Sequence, residues 1–230
     1  MAREQTDSVP AATPVAVIDI GSNGIRMVLA QVAPDGHFEV IERTQRAVRL
    51  GQDTYVAGRL SGQTMSAAIS ILSDFRKLLE PYRVDHVRAV ATSAVREAAN
   101  ADAFLDRLFL SCGLDVEVIE PPEESRLTVS AVRHALEQAP DIAAKRALIA
   151  DVGGGNALLT VLEDGQIVAS GSYRLGSIRL QETLSTAGER PERAADLIRH
   201  QIEGSLKVIR SSLKLKRIRT FIAVGGDARF

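Results

Sequence analysis

Residues 147–156 read ALIADVGGGN and residues 15–24 read VAVIDIGSNG. Each is a short apolar run that closes on an aspartate and a glycine-rich loop, the pattern of a buried strand entering a tight turn: Val15 to Asp19 in one case, Ala147 to Val152 in the other. The segments beyond the two loops also match. After the first loop come an apolar run, Ile25 to Val32, a Pro34-Asp35-Gly36 turn and a further run, Phe38 to Glu42; after the second, two runs flank an Asp164-Gly165 turn. Asp19-Ile20-Gly21-Ser22-Asn23 aligns with Asp151-Val152-Gly153-Gly154-Gly155-Asn156. A strand, an acid, a glycine loop and a hairpin recurring in one order indicate an internal duplication.

The rest of the chain alternates helix and strand. Met65, Ala68, Ile69, Leu72, Phe75 and Leu79 recur at helical spacing, and Val87 to Ala91 reads as a strand. Asn100 is placed to cap a helix over Ala101 to Ser111 that Gly113 stops, Leu114 to Ile119 is a strand, and Pro121-Pro122 lead into a helix over Glu123 to Leu136. A helix from Pro191 carries Leu197, Ile198, Ile202, Leu206 and Ile209 on one face, and Thr220 to Val224 is a last strand. The sequence divides into a flexible tail over 1–14, one α/β half over 15–140 and a second over 146–230, with a hinge in the Pro140-containing stretch 138–146.

Composition narrows the function classes. The chain has 230 residues, 45% hydrophobic and 25% charged, and a mean hydropathy of +0.02, so disordered, collagenous and membrane-spanning classes drop out. Lys plus Arg number 28 against 29 Asp plus Glu, so no overall field recruits nucleic acid or an anionic membrane. Cys112 stands alone and His37, His86, His134 and His200 are far apart, which fits a reducing cytoplasm and no structural zinc. The first residues lack the apolar core of a signal peptide.

Any anion must therefore be held locally, and the two glycine loops are suited to it. Glycines directly after a strand let successive amides point one way with no Cβ in the path, the geometry that holds phosphate oxygens. An aspartate just before such a loop repels phosphate, and a divalent cation between them resolves the conflict. Two such loops facing each other outline a phosphoryl-transfer site. No Gly-Lys-Ser/Thr comes after either loop, and each opens into a strand rather than a helix, which excludes the Walker and dinucleotide-binding loops.

With these features the ordered segments AVIDIGSNGIRMVL, RAVRLGQD, AVATSAVREAANADAF, EESRL, IADVGGGNALLTV, LGSIRL and AVGGDAR resemble the exopolyphosphatase and guanosine pentaphosphate phosphohydrolase (Ppx/GppA) family, of the actin, sugar kinase and acetate kinase superfamily. The resemblance implies two ribonuclease H-like α/β domains around a cleft, and hydrolysis of terminal phosphate from inorganic polyphosphate or guanosine pentaphosphate with Mg²⁺. It implies that Gly21, Ser22, Asn23, Arg96, Gly153, Gly154, Gly155 and Asn156 bind phosphate, that Asp19 and Asp151 bind the metal, and that Glu124 and Asp151 are catalytic. Glu124 would orient and partly deprotonate the attacking water. Dimer formation is a further implication. Other readings stand beside these: Glu123 and Glu124 suit a helix first turn, Arg96 a solvated helix face, Arg26 either the anion or a strand surface. Lys207, Arg210, Lys214, Lys216, Arg217 and Arg219 suit a solvated helix end or a landing strip for a long polyphosphate.

The chain also departs from the pattern. Where the family follows its three glycines with Ser-Thr-Glu, this chain has Asn156, Ala157 and Leu158, and leucine cannot bind a hard cation. Pro121-Pro122 replace a glycine-containing turn, Gly24 and Asp227 replace small hydroxylated residues, and Asp227 adds negative charge beside Gly225-Gly226. These departures support a second expectation, a weak or inactive homologue that senses polyphosphate or a guanine alarmone. A kinase-like or chaperone-like ATPase ranks third. Family members continue beyond the position of Phe230, so the second domain is expected to be truncated.

Overall fold

The computed structural model describes residues 12–136 and 146–226. Pro140 and Asp227 lie outside the described residues.

The apolar runs form the strands that the repeat demands. β1 (Thr13–Ile20), β2 (Gly24–Val32) and β3 (Phe38–Ala47) make an antiparallel meander, and β4 (His86–Ala91) and β5 (Val116–Val118) join parallel to β1, in the order β3-β2-β1-β4-β5. β6 (Ala147–Val152), β7 (Ala157–Glu163) and β8 (Gln166–Tyr173) repeat the meander, and β9 (Thr220–Val224) lies parallel to β6, in the order β8-β7-β6-β9. Strand for strand, β6 to β9 copy β1 to β4. This is the ribonuclease H-like arrangement, present twice.

Helices α1 (Leu50–Ala57), α2 (Gly62–Leu79), α3 (Ser93–Arg96) and α4 (Ala101–Cys112) belong to the first sheet. Ile18, Ile20, Met27 and Leu29 pack there with Leu72, Phe75, Phe104 and Leu108 in one continuous core. Because side chains alternate along a strand, burying Ile18 and Ile20 sends Asp19 to the opposite face. The second sheet is covered on both faces. α5 (Pro121–Ala135) lays Val129 and Val132 on Ala147, Ile149 and Leu162, while Ile209 of α7 (Pro191–Ser212) and Leu213 pack with Val161 on the other side. The chain thus changes sheets between β5 and α5, ahead of the 138–146 stretch. α6 (Ser177–Thr183) precedes α7.

Several local readings are corrected. β1 starts at Thr13, inside the stretch read as a tail, because Thr13 and Pro14 continue the register against Val32 and Gln31. β3 runs on to Ala47 instead of ending at Glu42; its mostly exposed residues carry no alternation to read. α1, α3 and α6 are too short to show a helical period. The cations from Lys207 to Arg219 are exposed, and the α7 face of Ile198, Ile202 and Leu206 is only half-buried.

Asn100 precedes α4 but makes no side-chain cap. Its amide instead accepts from the Leu60 N–H and donates to the Leu60 carbonyl, both at 2.9 Å, tying the α1–α2 connection to α4. Asn100→Ser keeps a good capping residue yet leaves both backbone groups of a buried residue unpaired. It should lower stability by about 1–3 kcal/mol in urea denaturation, whereas a change below about 0.5 kcal/mol would restore the capping role.

Candidate active site

Asp19 and Asp151 occupy equivalent strand positions, each at the last turn before its glycine loop. Across the hairpin, Asp19 pairs with Arg26 and Asp151 with Leu158. The acids meet in a cleft of about 390 Å³ between the two sheets, whose walls include both glycine loops, Glu124 and Thr128.

The two loops are built by the same hydrogen bonds. Gly21 N–H donates to the Gly24 carbonyl and Gly153 N–H to the Asn156 carbonyl, each at 3.0 Å. The Ser22 and Asn23 carbonyls accept from Gly51 and Val48 at the head of α1; in the second half, the Gly154 and Gly155 carbonyls accept from Arg179 and Gly176 at the head of α6. Ser177 N–H takes the Gly153 carbonyl as well. Since a peptide's N–H points opposite to its C=O, turning the Gly153, Gly154 and Gly155 carbonyls onto α6 turns the amides of Gly154, Gly155 and Asn156, all residues of the cleft wall, away from α6. The duplication read from the sequence thus extends into α1 and α6, which pack against each other.

Glu124 stands in the first turn of α5 and reaches the cleft. Arg96 Nη1 donates to its Oε1 at 2.7 Å and also to the Ile119 carbonyl. Arg96 is absent from the cleft wall; the structure places it behind Glu124, where it fixes the carboxylate. Two side chains that the resemblance assigns as phosphate contacts also point elsewhere. The Ser22 hydroxyl bonds Tyr55 at 2.6 Å, and the Asn156 amide donates to Ser172 Oγ at 3.0 Å, so the loop backbone is what Ser22 and Asn156 offer an anion.

Comparison with known proteins agrees with this construction. Residues 28–226 match the Ppx/GppA phosphatase family. The chain belongs to that family. Exopolyphosphatase 2 of Mycobacterium tuberculosis is 32% identical over 228 residues, which cover 94% of this chain and 69% of that protein. The crystal structure of the Aquifex aeolicus Ppx/GppA family member superposes with a TM-score of 0.73 at 30% identity, over 93% of this chain and 66% of that one. The ethanolamine utilization protein EutJ of Carboxydothermus hydrogenoformans, at 17% identity, a TM-score of 0.53, and 96% of this chain and 79% of that one, shares the fold. This chain spans about two thirds of the length of its Ppx/GppA relatives.

The electrostatics of the cleft are those of a site awaiting positive charge. Burial pushes the Asp19 carboxyl above its ordinary value; Arg26, 3.7 Å away, pulls it down and Asp151 pushes it up. Burial likewise raises Glu124, opposed by Arg96 and reinforced by Asp151 and Asp19. Asp151 accepts a hydrogen bond from Thr128 at 3.1 Å. Among the described residues, no three His, Cys, Asp or Glu side chains gather closely enough to cage an ion. Two mutually repelling carboxylates that lack a third ligand fit a hard cation that keeps water and takes its remaining oxygens from a phosphate, the habit of Mg²⁺. Leu158, the position at which the resemblance leads one to expect glutamate, lines the cleft beside Asp151. Thr128, Tyr55, Ser93, Glu97 and Arg179 also support the site; Ser93 and Glu97 lie in the AVATSAVREAANADAF segment and Arg179 in LGSIRL, but the sequence reading gave them no role.

A carboxyl with a raised pKa binds protons more tightly folded than unfolded, so its contribution is intact below the ordinary value near 3.8 and is lost as pH rises through the folded value. Asp19→Asn should therefore raise the unfolding temperature at pH 7 in EDTA, with the gain shrinking toward pH 4. A variant less stable than wild type at pH 7 would show that Asp19 is stabilised as a carboxylate.

Proposed function

We propose that the chain is an exopolyphosphatase that removes the terminal phosphate of inorganic polyphosphate with Mg²⁺. The observation that carries this reading is the pair of glycine loops, built by matching hydrogen bonds and opening on one cleft with Asp19, Asp151 and Glu124. The names of the curated relatives favour polyphosphate over guanosine pentaphosphate. A reducing cytoplasm suits the single cysteine.

The loop amides hold the equatorial oxygens of the terminal phosphoryl group, where charge is spread in the transition state. Asp19 and Asp151 would hold Mg²⁺, whose charge neutralises the phosphate oxygens and permits their approach to the two acids. Arg96 keeps Glu124 facing the cleft. Glu124 accepts a proton from a water whose oxygen attacks the terminal phosphorus as the bond to the bridging oxygen breaks, giving orthophosphate and a chain shorter by one unit. Its raised pKa brings it closer to neutrality, where a general base is more effective.

The 230-residue chain should release phosphate from long-chain polyphosphate with Mg²⁺, release none in EDTA, and lose about 10²–10⁴-fold in rate as Glu124→Gln. Guanosine pentaphosphate serves as the competing substrate. Release that persists in EDTA or in the Gln variant overturns this mechanism.

Leu158 favours a second reading, a homologue that binds polyphosphate with little turnover. Leu158→Glu should then lower the Mg²⁺ concentration for half-maximal rate by about tenfold, about 1.4 kcal/mol, measured by titrating Mg²⁺ against phosphate release. An unchanged Mg²⁺ requirement would clear Leu158 of any part in metal binding.

A further inference from the structure

Among the described residues, the hydrogen bond that spans the most sequence runs from Arg179 to Glu97. Arg179 is only 7% exposed. Its Nε donates to the Gly155 carbonyl at 2.7 Å, its Nη2 to Glu97 Oε1 at 2.6 Å and to Asn156 Oδ1 at 3.3 Å, and its guanidinium carbon lies 3.9 Å from the centre of the Tyr55 ring. Gly155 and Asn156 belong to the second loop; Glu97 and Tyr55 belong to the first half. Arg179 lies outside the cleft wall and lines a separate cavity of about 620 Å³ behind Tyr55, with Glu97 and Arg174. It therefore acts on the cleft only through other residues.

Two facts give that position a consequence. The Gly155 carbonyl, which accepts from Arg179 and from the Gly176 N–H, belongs to the peptide whose N–H is on Asn156, a residue of the cleft wall, so Arg179 helps to hold the direction of an amide beside the cleft. Its acidic partner, Glu97, is the next residue after Arg96, which holds Glu124. Neighbouring residues of one short helix end thus grip both the water-activating carboxylate and, through Arg179, the phosphate loop of the other half. We propose that Arg179 is a positioning residue: with Glu97 it fixes the second loop's amides relative to Glu124, so that the phosphoryl group and the attacking water are held at one spacing. Lysine at this position keeps the charge but cannot reach Gly155, Asn156 and Glu97 together from one planar group. The inference deepens the proposed hydrolase reading and rests on it for its kinetic part.

The test compares Arg179→Ala, Arg179→Lys, Glu97→Ala and the double Ala variant in the 230-residue chain, by polyphosphate kinetics, unfolding temperature and ¹⁵N amide spectra. Arg179→Ala should lower kcat about 100-fold, the scale of one misdirected transition-state donor, with KM within about threefold. Arg179→Lys should recover no more than about tenfold even where its unfolding temperature matches wild type. Adding Glu97→Ala to Arg179→Ala should cost less than about threefold more, because the two act as a unit. The Gly154, Gly155 and Asn156 amide signals should shift in both single Ala variants. The proposal is overturned by a Lys variant with wild-type kcat, by losses that track unfolding temperature alone, or by unmoved signals from Gly154 to Asn156. If wild type itself releases no phosphate, the hydrolase reading fails, and the amide spectra alone decide the positioning role: shifts in these signals sustain it, and their absence ends it.

Discussion

The structure depends on a backbone contact that tolerates no side chain. A Cβ at Gly155 would collide with the hydroxyls of Ser93 and Tyr55, and a Cβ at Gly176 would collide with the Gly155 backbone. The second glycine loop is thereby pressed between its own α6 turn on one side and the hydroxyls of the first half on the other. Ser22, Tyr55 and Ser93 bond one another at this seam, so the first-half hydroxyls that face the second loop already have partners in each other. The cleft lies where it does because the halves meet at their loops and not along their sheets.

That contact determines which groups are available to a ligand. Loop carbonyls are occupied at the heads of α1 and α6, the Ser22 and Ser93 hydroxyls by the seam and the Arg96 guanidinium by Glu124, which leaves loop amides, carboxylates and the side chains of Asn23, Arg26 and Gln45 on the cleft wall. The acids repel one another and would repel an anion held by the amides: burial and mutual repulsion disfavour charge on Asp19 and Glu124, with Arg26 and Arg96 in opposition. Such strain is common where a site is arranged for a charged partner instead of for stability. A phosphate oxygen with its counter-cation relieves both sides of the conflict together.

The parts of this arrangement legible in the sequence were those written as local pattern. The strands of Val15 to Asp19 and Ala147 to Val152, the repeated aspartates and the glycine loops all carry short-range signals, and the ribonuclease H-like arrangement was an implication of the family resemblance. The helices α1, α3 and α6 carry no such signal: all three are too short to show a period, and the heads of α1 and α6 are held by carbonyls of the glycine loops. Asn100 shows the opposite failure: a strong local signal for a cap was overruled by the unpaired backbone of Leu60, forty residues away. Arg96, Glu97 and Arg179 could be seen as charges, but their partners are defined only once α5 crosses to the second sheet and α6 closes on α1.

The duplication also shows how two equal halves came to do unequal work. Gly51 and Arg179 occupy equivalent places, each donating its backbone N–H to the matching loop carbonyl, but only Arg179 carries a side chain that reaches across to the other half. Arg26 and Leu158 are equivalent as well, each directly across the strand from its aspartate. In the first half the cation faces the acid and partly neutralises it; in the second, the cation has moved behind the loop and an apolar residue faces the acid. Asp151 thus lacks the cross-strand cation that Asp19 has in Arg26. The hydrogen-bond frame common to both loops leaves these side-chain positions free to diverge, because it is made of backbone and its steric demands fall on glycines, among them Gly24, Gly51, Gly155 and Gly176.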